Sequence, residues 1–218
     1  MPRGSAGEVS VATTREEGVI IIAIDPGING AIVLMSDVSQ TIEIYDMPTV
    51  PKSVGKGRQV CASGVRDIIG VDHLKGTERG RKVYEHPSAI VELVGPTPQM
   101  GVTSAFAFGK TAGIIEGVLA ALQIGVVYVR PQAWKKRFGL IKKEKDASRT
   151  KAIELYPQLA RQLSRKKDAD RAEALLLAHF ASRLMDRELR RTDTAGSKFA
   201  RGTIAQRVSA GRAAACHK

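Results

Sequence analysis

The sequence has few cysteines, no long apolar run and far fewer acidic than basic residues. Its two cysteines, Cys61 and Cys216, lie far apart without metal-ligand spacing. This argues against a disulfide scaffold and a zinc site and favours a reducing compartment. No apolar stretch approaches the roughly 20 residues of a membrane span, and residues 1–5 include no apolar signal core. We therefore expect a cytoplasmic protein that does not enter a membrane.

A chain of 218 residues with 43% hydrophobic residues fits one domain with a sizeable core. Both ends are polar or basic and lack an apolar stripe, which is typical of flexible segments. We expect a flexible N-terminal segment at 1–17, a folded domain at 18–186 and a basic, flexible C-terminal tail at 187–218.

Basic charge is concentrated in one part of the chain. The formal net charge is +12, and the segment from Arg130 to Arg171 holds 14 basic and five acidic residues, a local net charge of +9. Clustered Lys and Arg suit the phosphates of a nucleic acid, although a solvated surface that only aids solubility is the alternative. The candidate DNA-binding residues are Lys135, Lys136, Lys142, Lys143, Lys145, Arg149, Arg165, Lys166 and Lys167.

The first half of the chain is typical of a β-meander. Runs rich in β-branched residues predict strands at 18–24, 31–35 and 41–46. Next come an irregular stretch rich in proline and glycine, a short helix at 62–70 and a polar crossing up to Tyr84. A fourth strand is expected at 88–94.

The second half alternates helices with one further strand. Apolar residues at helical spacing predict a helix at 104–122, which leads into a fifth strand at 126–129 parallel to the fourth. Further helices are expected from Arg130, at 148–155 and at 170–186. The sequence thus predicts an α/β fold whose five-stranded mixed sheet combines a three-strand antiparallel meander with two parallel strands, flanked by helices.

Two acidic residues interrupt or end apolar strands. Asp25 directly follows the apolar run 19–24, and burial there penalises its charge, so it needs a cation, a donor or a catalytic role. An Asp that only caps the turn is the alternative. Glu92 lies near the carboxyl end of the fourth strand, where open α/β sheets place their chemistry, unless it faces water at a sheet edge.

The last helix adds further carboxylates. Glu173 shares a helical stripe with Leu177 and Phe180 and should face the sheet. Asp168 and Asp170 lie at the helix start, where Asp is a preferred N-cap, so one of them is expected only to cap.

Carboxylates that converge from two strands and a helix repel one another, and hard divalent cations are the usual remedy. The sequence predicts Mg²⁺ or Mn²⁺, with two ions in each site. Two such ions about 4 Å apart can activate water and stabilise the leaving oxygen of a phosphodiester. The candidate catalytic and metal-binding residues are Asp25, Glu92, Asp168, Asp170 and Glu173.

Six short motifs, in this order, resemble the RuvC-type Holliday junction resolvases of the ribonuclease H-like superfamily, in particular their phage, bacterial and plastid branch. The resemblance covers residues 19–185 and rests on the motifs Ile24-Asp25-Pro26-Gly27, Ile90-Val91-Glu92, Gly101–Ser104, Pro131–Lys136, Lys145–Arg149 and Lys166–Leu176.

The resemblance implies a ribonuclease H-like fold and a metal-dependent homodimer that cuts two strands of a four-way DNA junction symmetrically, in DNA recombination and repair. It implies no nucleotide cofactor. It places the protein in a bacterial or phage-infected cell, or in an organelle if the source is a plant. The helix Ser104–Leu122 is the candidate dimer interface, the loop Pro98–Ser104 is the candidate reader of the cut sequence, and Lys142, Lys143, Lys145 and Arg149 are candidates to steady the phosphate.

The last helix departs from the type enzyme's pattern. The type enzyme has two acids three residues apart, which would be Asp170 and Glu173 here, whereas the branch relatives commonly have an acid at the position of Asp168 and a small residue at that of Asp170. We favour Asp168 with Glu173 and keep Asp170 as the alternative.

The type enzyme also has an aromatic wedge just after the strand-four acid, and this chain has glycine and prolines there. The candidate wedge residues are Met100, Phe106 and Phe108. Helical spacing favours a core position for Phe108, and Trp134 is expected to pack in the core rather than to stack on a base.

Three other functions compete with this one. A non-catalytic protein that binds branched DNA needs the basic surface but no acids. An actin-like kinase or ATPase needs a second lobe, for which the chain is too short. A proofreading exonuclease needs an acid two residues from Asp25, where Ala23 and Gly27 stand.

Overall fold

The structure is a computed structural model that describes residues 17–36, 40–53, 55–70, 75–78, 81–93, 95–96 and 99–194. The expectations for 1–16, for Pro98 and for 195–218 lie outside the described residues.

The described chain forms eight strands and five α-helices. The strands are β1 (Glu17–Asp25), β2 (Ala31–Ser36), β3 (Ile42–Asp46), β4 (Thr49–Pro51), β5 (Arg58–Val60), β6 (Lys75–Glu78), β7 (Arg81–Glu92) and β8 (Gly125–Val129). The helices are α1 (Ala62–Ile69), α2 (Val102–Ala121), α3 (Pro131–Arg137), α4 (Lys145–Leu155) and α5 (Ala169–Thr194). Two 3₁₀ helices, Pro157–Leu163 and Lys166–Asp168, connect α4 to α5.

The central sheet confirms the predicted fold class. β1, β2 and β3 pair in antiparallel order, β7 lies parallel to β1 on the other side, and β8 lies parallel to β7. This three-strand meander followed by two parallel strands, with helices on the faces, is the mixed sheet that the sequence predicts.

Three features differ from the sequence-based expectation. The stretch expected to be irregular contains a hairpin of β4 and β5, which pair with each other outside the main sheet. The polar crossing contains β6, and β7 begins at Arg81 rather than near Ser88, so the sheet has a sixth strand. Finally, α5 continues past Asp186 to Thr194.

The sheet carries an apolar layer on each face because its strands alternate. Ile22 and Ile24 of β1 join a cluster with Ile115 and Leu119 of α2. Ile21 and Ala23 face the other way, into a cluster covered by α3, α4 and α5. Burying both faces explains why β1 has a continuous apolar sequence rather than an alternating one.

A tight turn fixes the end of β1. The Gly30 amide donates to the carbonyl of Gly27 at 3.1 Å, and a Cβ atom on Gly30 would lie 2.0 Å from the carbonyl oxygen of Asp25. Only glycine allows this approach. The backbone of Gly30 therefore packs against the backbone of Asp25 and fixes its position.

Candidate active site at the carboxyl edge of the sheet

The two strand carboxylates lie side by side. β1 and β7 are parallel with Ile24 opposite Val91, and Asp25 and Glu92 are the next residues and the last of their strands. Both side chains alternate onto the α5 face of the sheet, since Ala23 and Ile90 face that side. Glu92 is 8% exposed, which excludes the edge position facing water.

The first turn of α5 brings two more carboxylates to the same edge. Asp170 and Glu173 lie three residues apart, which places them on one side of the helix. Glu173 is 7% exposed and faces the sheet, as its helical stripe predicts.

Electrostatic interactions show that these four groups share one region. The pKa of Asp25 is raised to about 7, most of all by burial and then by the charges of Glu92, Asp170 and Glu173, while the charge of Lys145 lowers it. Burial likewise raises the pKa of Glu92, while a hydrogen bond from Trp134 lowers it. The structure therefore brings together Asp25, Glu92, Asp170 and Glu173.

Two neutral donors hold the buried carboxylates in place. The indole Nε1 of Trp134 donates to Oε1 of Glu92 at 3.0 Å, and Oγ of Ser148 donates to Oε1 of Glu173 at 3.0 Å. Trp134 is 1% exposed, so the core packing predicted for it agrees with the structure. Its donor role was not predicted, because a sequence does not show which acceptor a buried indole meets.

Two lysines occupy the same edge. Nζ of Lys135 donates to Oε1 of Glu173 at 3.0 Å, and it lies 5.0 Å from the centre of the Trp134 ring. Nζ of Lys145 donates to Oδ1 of Asp170. Burial lowers the pKa of Lys145, but the Asp170 hydrogen bond and the nearby carboxylates outweigh it and raise the pKa above its ordinary value.

Asp168 has a different environment. Its carboxylate accepts hydrogen bonds from the backbone nitrogen of Arg165 at 2.8 Å and from Nη2 of the same arginine at 2.8 Å. These bonds lower the pKa of Asp168, and its other charged neighbours include Arg171. Asp168, the residue favoured from the sequence, completes a capping box with Arg165 at the short helix before α5. Asp170, the alternative, is one of the carboxylates that raise the pKa of Asp25, so the geometry favours Asp170 as the site residue.

The basic residues fall into two groups. Arg149 binds Asp146 and the carbonyl oxygens of Leu163 and Ser164, and Arg165 binds Asp168, so both side chains hold the fold together. The exposed candidates for a nucleic acid are Lys136, Lys142, Lys143, Lys166 and Lys167.

The candidate wedge residues also differ in exposure. Phe106 is 76% exposed near the start of α2. Phe108 is only partly buried and belongs to neither apolar cluster of the described chain, so the core position predicted for it is not confirmed.

The donor chemistry of this edge fits a hard divalent cation, because carboxylate oxygens are the preferred ligands of Mg²⁺ and Mn²⁺. Their arrangement is not ready-made. Within the described residues, no group of three or more Asp, Glu, His or Cys side chains is placed so as to hold a metal ion. Lys145 and Lys135 already pair with Asp170 and Glu173, so a cation would compete with these two amines for the carboxylates.

No helix in the described part of the chain is long and apolar enough to cross a membrane.

Solved structures similar to this chain include Thermus thermophilus RuvC and T. thermophilus RuvC in complex with a Holliday junction substrate, with TM-scores of 0.43 and 0.42. Each is 12% identical, and the match covers 76% of this chain and 96% of that chain. No protein-family model and no curated protein match the sequence. Similarity this low carries no argument about the site.

The raised pKa of Asp25 predicts a pH-dependent stability. The unfolded pKa is about 4 and the folded pKa is about 7. Ionised Asp25 therefore destabilises the fold progressively as pH rises from 4 to 7. In urea unfolding without divalent ions, the free energy of unfolding of Asp25→Asn should equal that of the wild type near pH 4. At pH 8 it should be higher than that of the wild type by up to about 4 kcal/mol. A difference that does not change with pH would contradict this environment for Asp25.

Substitution of Asp168 and of Asp170 should change the free energy of unfolding by different amounts. Asp168→Asn weakens the charge-assisted bonds from Arg165 and should lower the free energy of unfolding by about 1–3 kcal/mol. Asp170→Asn loses only a partly exposed ion pair and should cost less than about 1 kcal/mol. Thermal denaturation of both variants at pH 7 measures this. Equal losses would show that Asp168 has no special structural role.

Proposed function

We propose that this protein is a divalent-metal-dependent endonuclease that resolves four-way DNA junctions, a crossover junction endodeoxyribonuclease of the branch its motifs resemble. The observation that carries the proposal is the position of Asp25 among Glu92, Asp170 and Glu173 at the carboxyl edge of the sheet. Purely structural needs do not explain four carboxylates around a buried strand end, since their repulsion costs stability.

Asp25, Glu92, Asp170 and Glu173 would hold the cations. When bound, Mg²⁺ or Mn²⁺ supplies the Lewis acidity that phosphodiester hydrolysis requires. Trp134 and Ser148 fix the orientation of Glu92 and Glu173, because each donates to one carboxylate oxygen and leaves lone pairs on the other. Lys135 and Lys145 pair with Glu173 and Asp170, and at this edge their amines would be available to contact the scissile phosphate.

Symmetric cutting needs two sites on one junction, which a twofold homodimer supplies. Exposed residues follow one face of α2: Val102 is 88% and Phe106 is 76% exposed. On the same face, nothing lies within 4 Å of a Cβ atom added to Gly109, Gly113 or Gly117. These five residues have helical spacing, and we propose this face as the dimer interface.

A second candidate is a non-catalytic protein of the same fold that binds branched DNA. The ion pairs of Lys135 and Lys145 favour it, because these amines already neutralise two of the carboxylates. Both candidates bind a junction, and only the nuclease cuts it.

Substitution of Asp25 separates the two candidates. Wild-type protein with Mg²⁺ should cut a synthetic four-way junction, and Asp25→Asn should lower the cleavage rate at least about 100-fold, since loss of a carboxylate that would hold the metal removes several kcal/mol of transition-state stabilisation. Junction binding, measured by fluorescence anisotropy in EDTA, should persist. Asp67→Asn removes an exposed carboxylate on α1 and serves as the matched control.

If the wild type binds a junction but does not cut it, the function is non-catalytic binding of branched DNA. Undiminished cleavage by Asp25→Asn would refute the site. Asp170→Asn should lose cleavage with Asp25→Asn, whereas Asp168→Asn should retain it at temperatures where that variant is folded. Duplex, flap and RNA–DNA hybrid substrates test whether the activity selects junctions.

The proposed dimer interface predicts a change of mass in solution. Gly113→Arg places a long charged side chain on this face and should convert a dimer into a monomer in sedimentation velocity runs at micromolar concentration. Arg forms helices better than Gly, so loss of the dimer cannot come from melting of α2. Ile141→Glu, at an exposed apolar position elsewhere, should remain dimeric. A dimeric Gly113→Arg variant would exclude this interface.

A further inference from the structure

The hairpin of β4 and β5 begins beside the acidic edge, which is the carboxyl edge of the sheet with Asp25, Glu92, Asp170 and Glu173. The Met47 amide donates to the carbonyl of Gly30 at 2.9 Å, and the Cys61 amide donates to the carbonyl of Pro48 at 2.9 Å, which closes the base of the hairpin. Gly30 belongs to the turn that presses on Asp25. The base of the hairpin therefore lies beside the turn that carries the first carboxylate.

The hairpin lies on the opposite side of the sheet from the basic segment 130–171. Met47 and Val60, at its two ends, pack in the apolar cluster with Ile115 and Leu119 of α2. The segment 130–171 covers the other face, where Trp134 packs with α5. The acidic edge thus has the hairpin on one flank and the exposed lysines of α3 and its neighbours on the other.

All the charged residues of the hairpin are basic. Residues 47–60 include Lys52, Lys56 and Arg58 and no acidic residue. Lys56 and Arg58 are exposed, and the amide of Lys52 donates to the carbonyl of Gly57 at 3.0 Å, which closes the loop. A fourth cation is added by Lys110 of α2, whose Nζ donates to Oε1 of Gln59 at 2.9 Å.

The loop is shaped for close approach by another chain. Gly55 and Gly57 have φ values of 82° and 106°, a conformation that side chains disfavour, and nothing lies within 4 Å of a Cβ atom at either position. Nη2 of Arg58 donates to the carbonyl of Thr49 at 3.1 Å, which fixes its direction across the hairpin while other guanidinium donors remain available.

We propose that this hairpin binds the sugar–phosphate backbone of one DNA arm, so that the junction is held from both faces of the sheet. The inference rests on the proposed function, because the acidic edge that it flanks is the proposed cleavage site. A three-residue strand spans about 10 Å, which takes the loop to phosphates several nucleotides from the cut. An acidic protein segment would match the positive charge of the hairpin equally well. Only a DNA substrate, however, must also extend from the hairpin to the carboxylates of the proposed cleavage site.

The test uses the full chain with Lys56→Gln and Arg58→Gln combined. Affinity for a synthetic four-way junction is measured by fluorescence anisotropy in EDTA at several salt concentrations. Loss of two phosphate contacts should weaken binding at 100 mM salt at least about tenfold and lower the slope of log K against log salt by about 2. Arg66→Gln with Lys151→Gln removes two cations that pair with neighbouring carboxylates and should leave the slope unchanged.

Arg58→Gln also removes the bond to Thr49, so Lys56→Glu alone provides a second variant with no such bond to lose. It should weaken binding more than Lys56→Gln does. Unchanged affinity and slope in these variants, with a wild type that binds and cuts the junction, would overturn the inference and leave the proposed function standing. A wild type that binds no junction would overturn both.

Discussion

Repulsion among carboxylates at one edge of the sheet is the constraint on which the rest of the structure depends. Asp25 ends a strand with both faces buried, and its pKa is raised first by that burial and then by the charges of Glu92, Asp170 and Glu173. Such a group destabilises the fold unless positive charge accompanies it. Lys135 and Lys145 supply part of that charge, and a divalent cation would supply more at a single point. The chemistry proposed for the protein and the cost of folding it thus have the same origin.

The remaining architecture keeps this edge in place. The Gly27–Gly30 turn fixes the end of β1, the indole of Trp134 fixes Glu92, and Ser148 fixes Glu173. Around them, α3, α4 and α5 present residues from distant parts of the chain to one face of the sheet. Arg149 and Arg165, although basic, serve this framework by binding Asp146 and Asp168.

Strong periodicity made most of the fold predictable. β1, β2, β3, β8 and the central part of α2 follow directly from apolar runs and helical spacing, whereas the hairpin of β4 and β5 was missed because three-residue strands bounded by proline and glycine lack a pattern. The four-residue β6 was missed because it is polar and lacks an apolar alternation. At the site, the sequence indicated the carboxylates but not whether Asp168 or Asp170 joins them. That choice depends on which side chain comes near Asp25 at the end of β1, which only the tertiary structure determines.

The most direct measurement is a crystal structure of the protein soaked in Mn²⁺, with anomalous scattering used to locate the ion. The proposed metal site predicts a peak about 2.0–2.2 Å from carboxylate oxygens of Asp25 and of at least two among Glu92, Asp170 and Glu173, with Asp168 still bound to Arg165. No peak at this edge, with Lys135 and Lys145 still bound to Glu173 and Asp170, would contradict it.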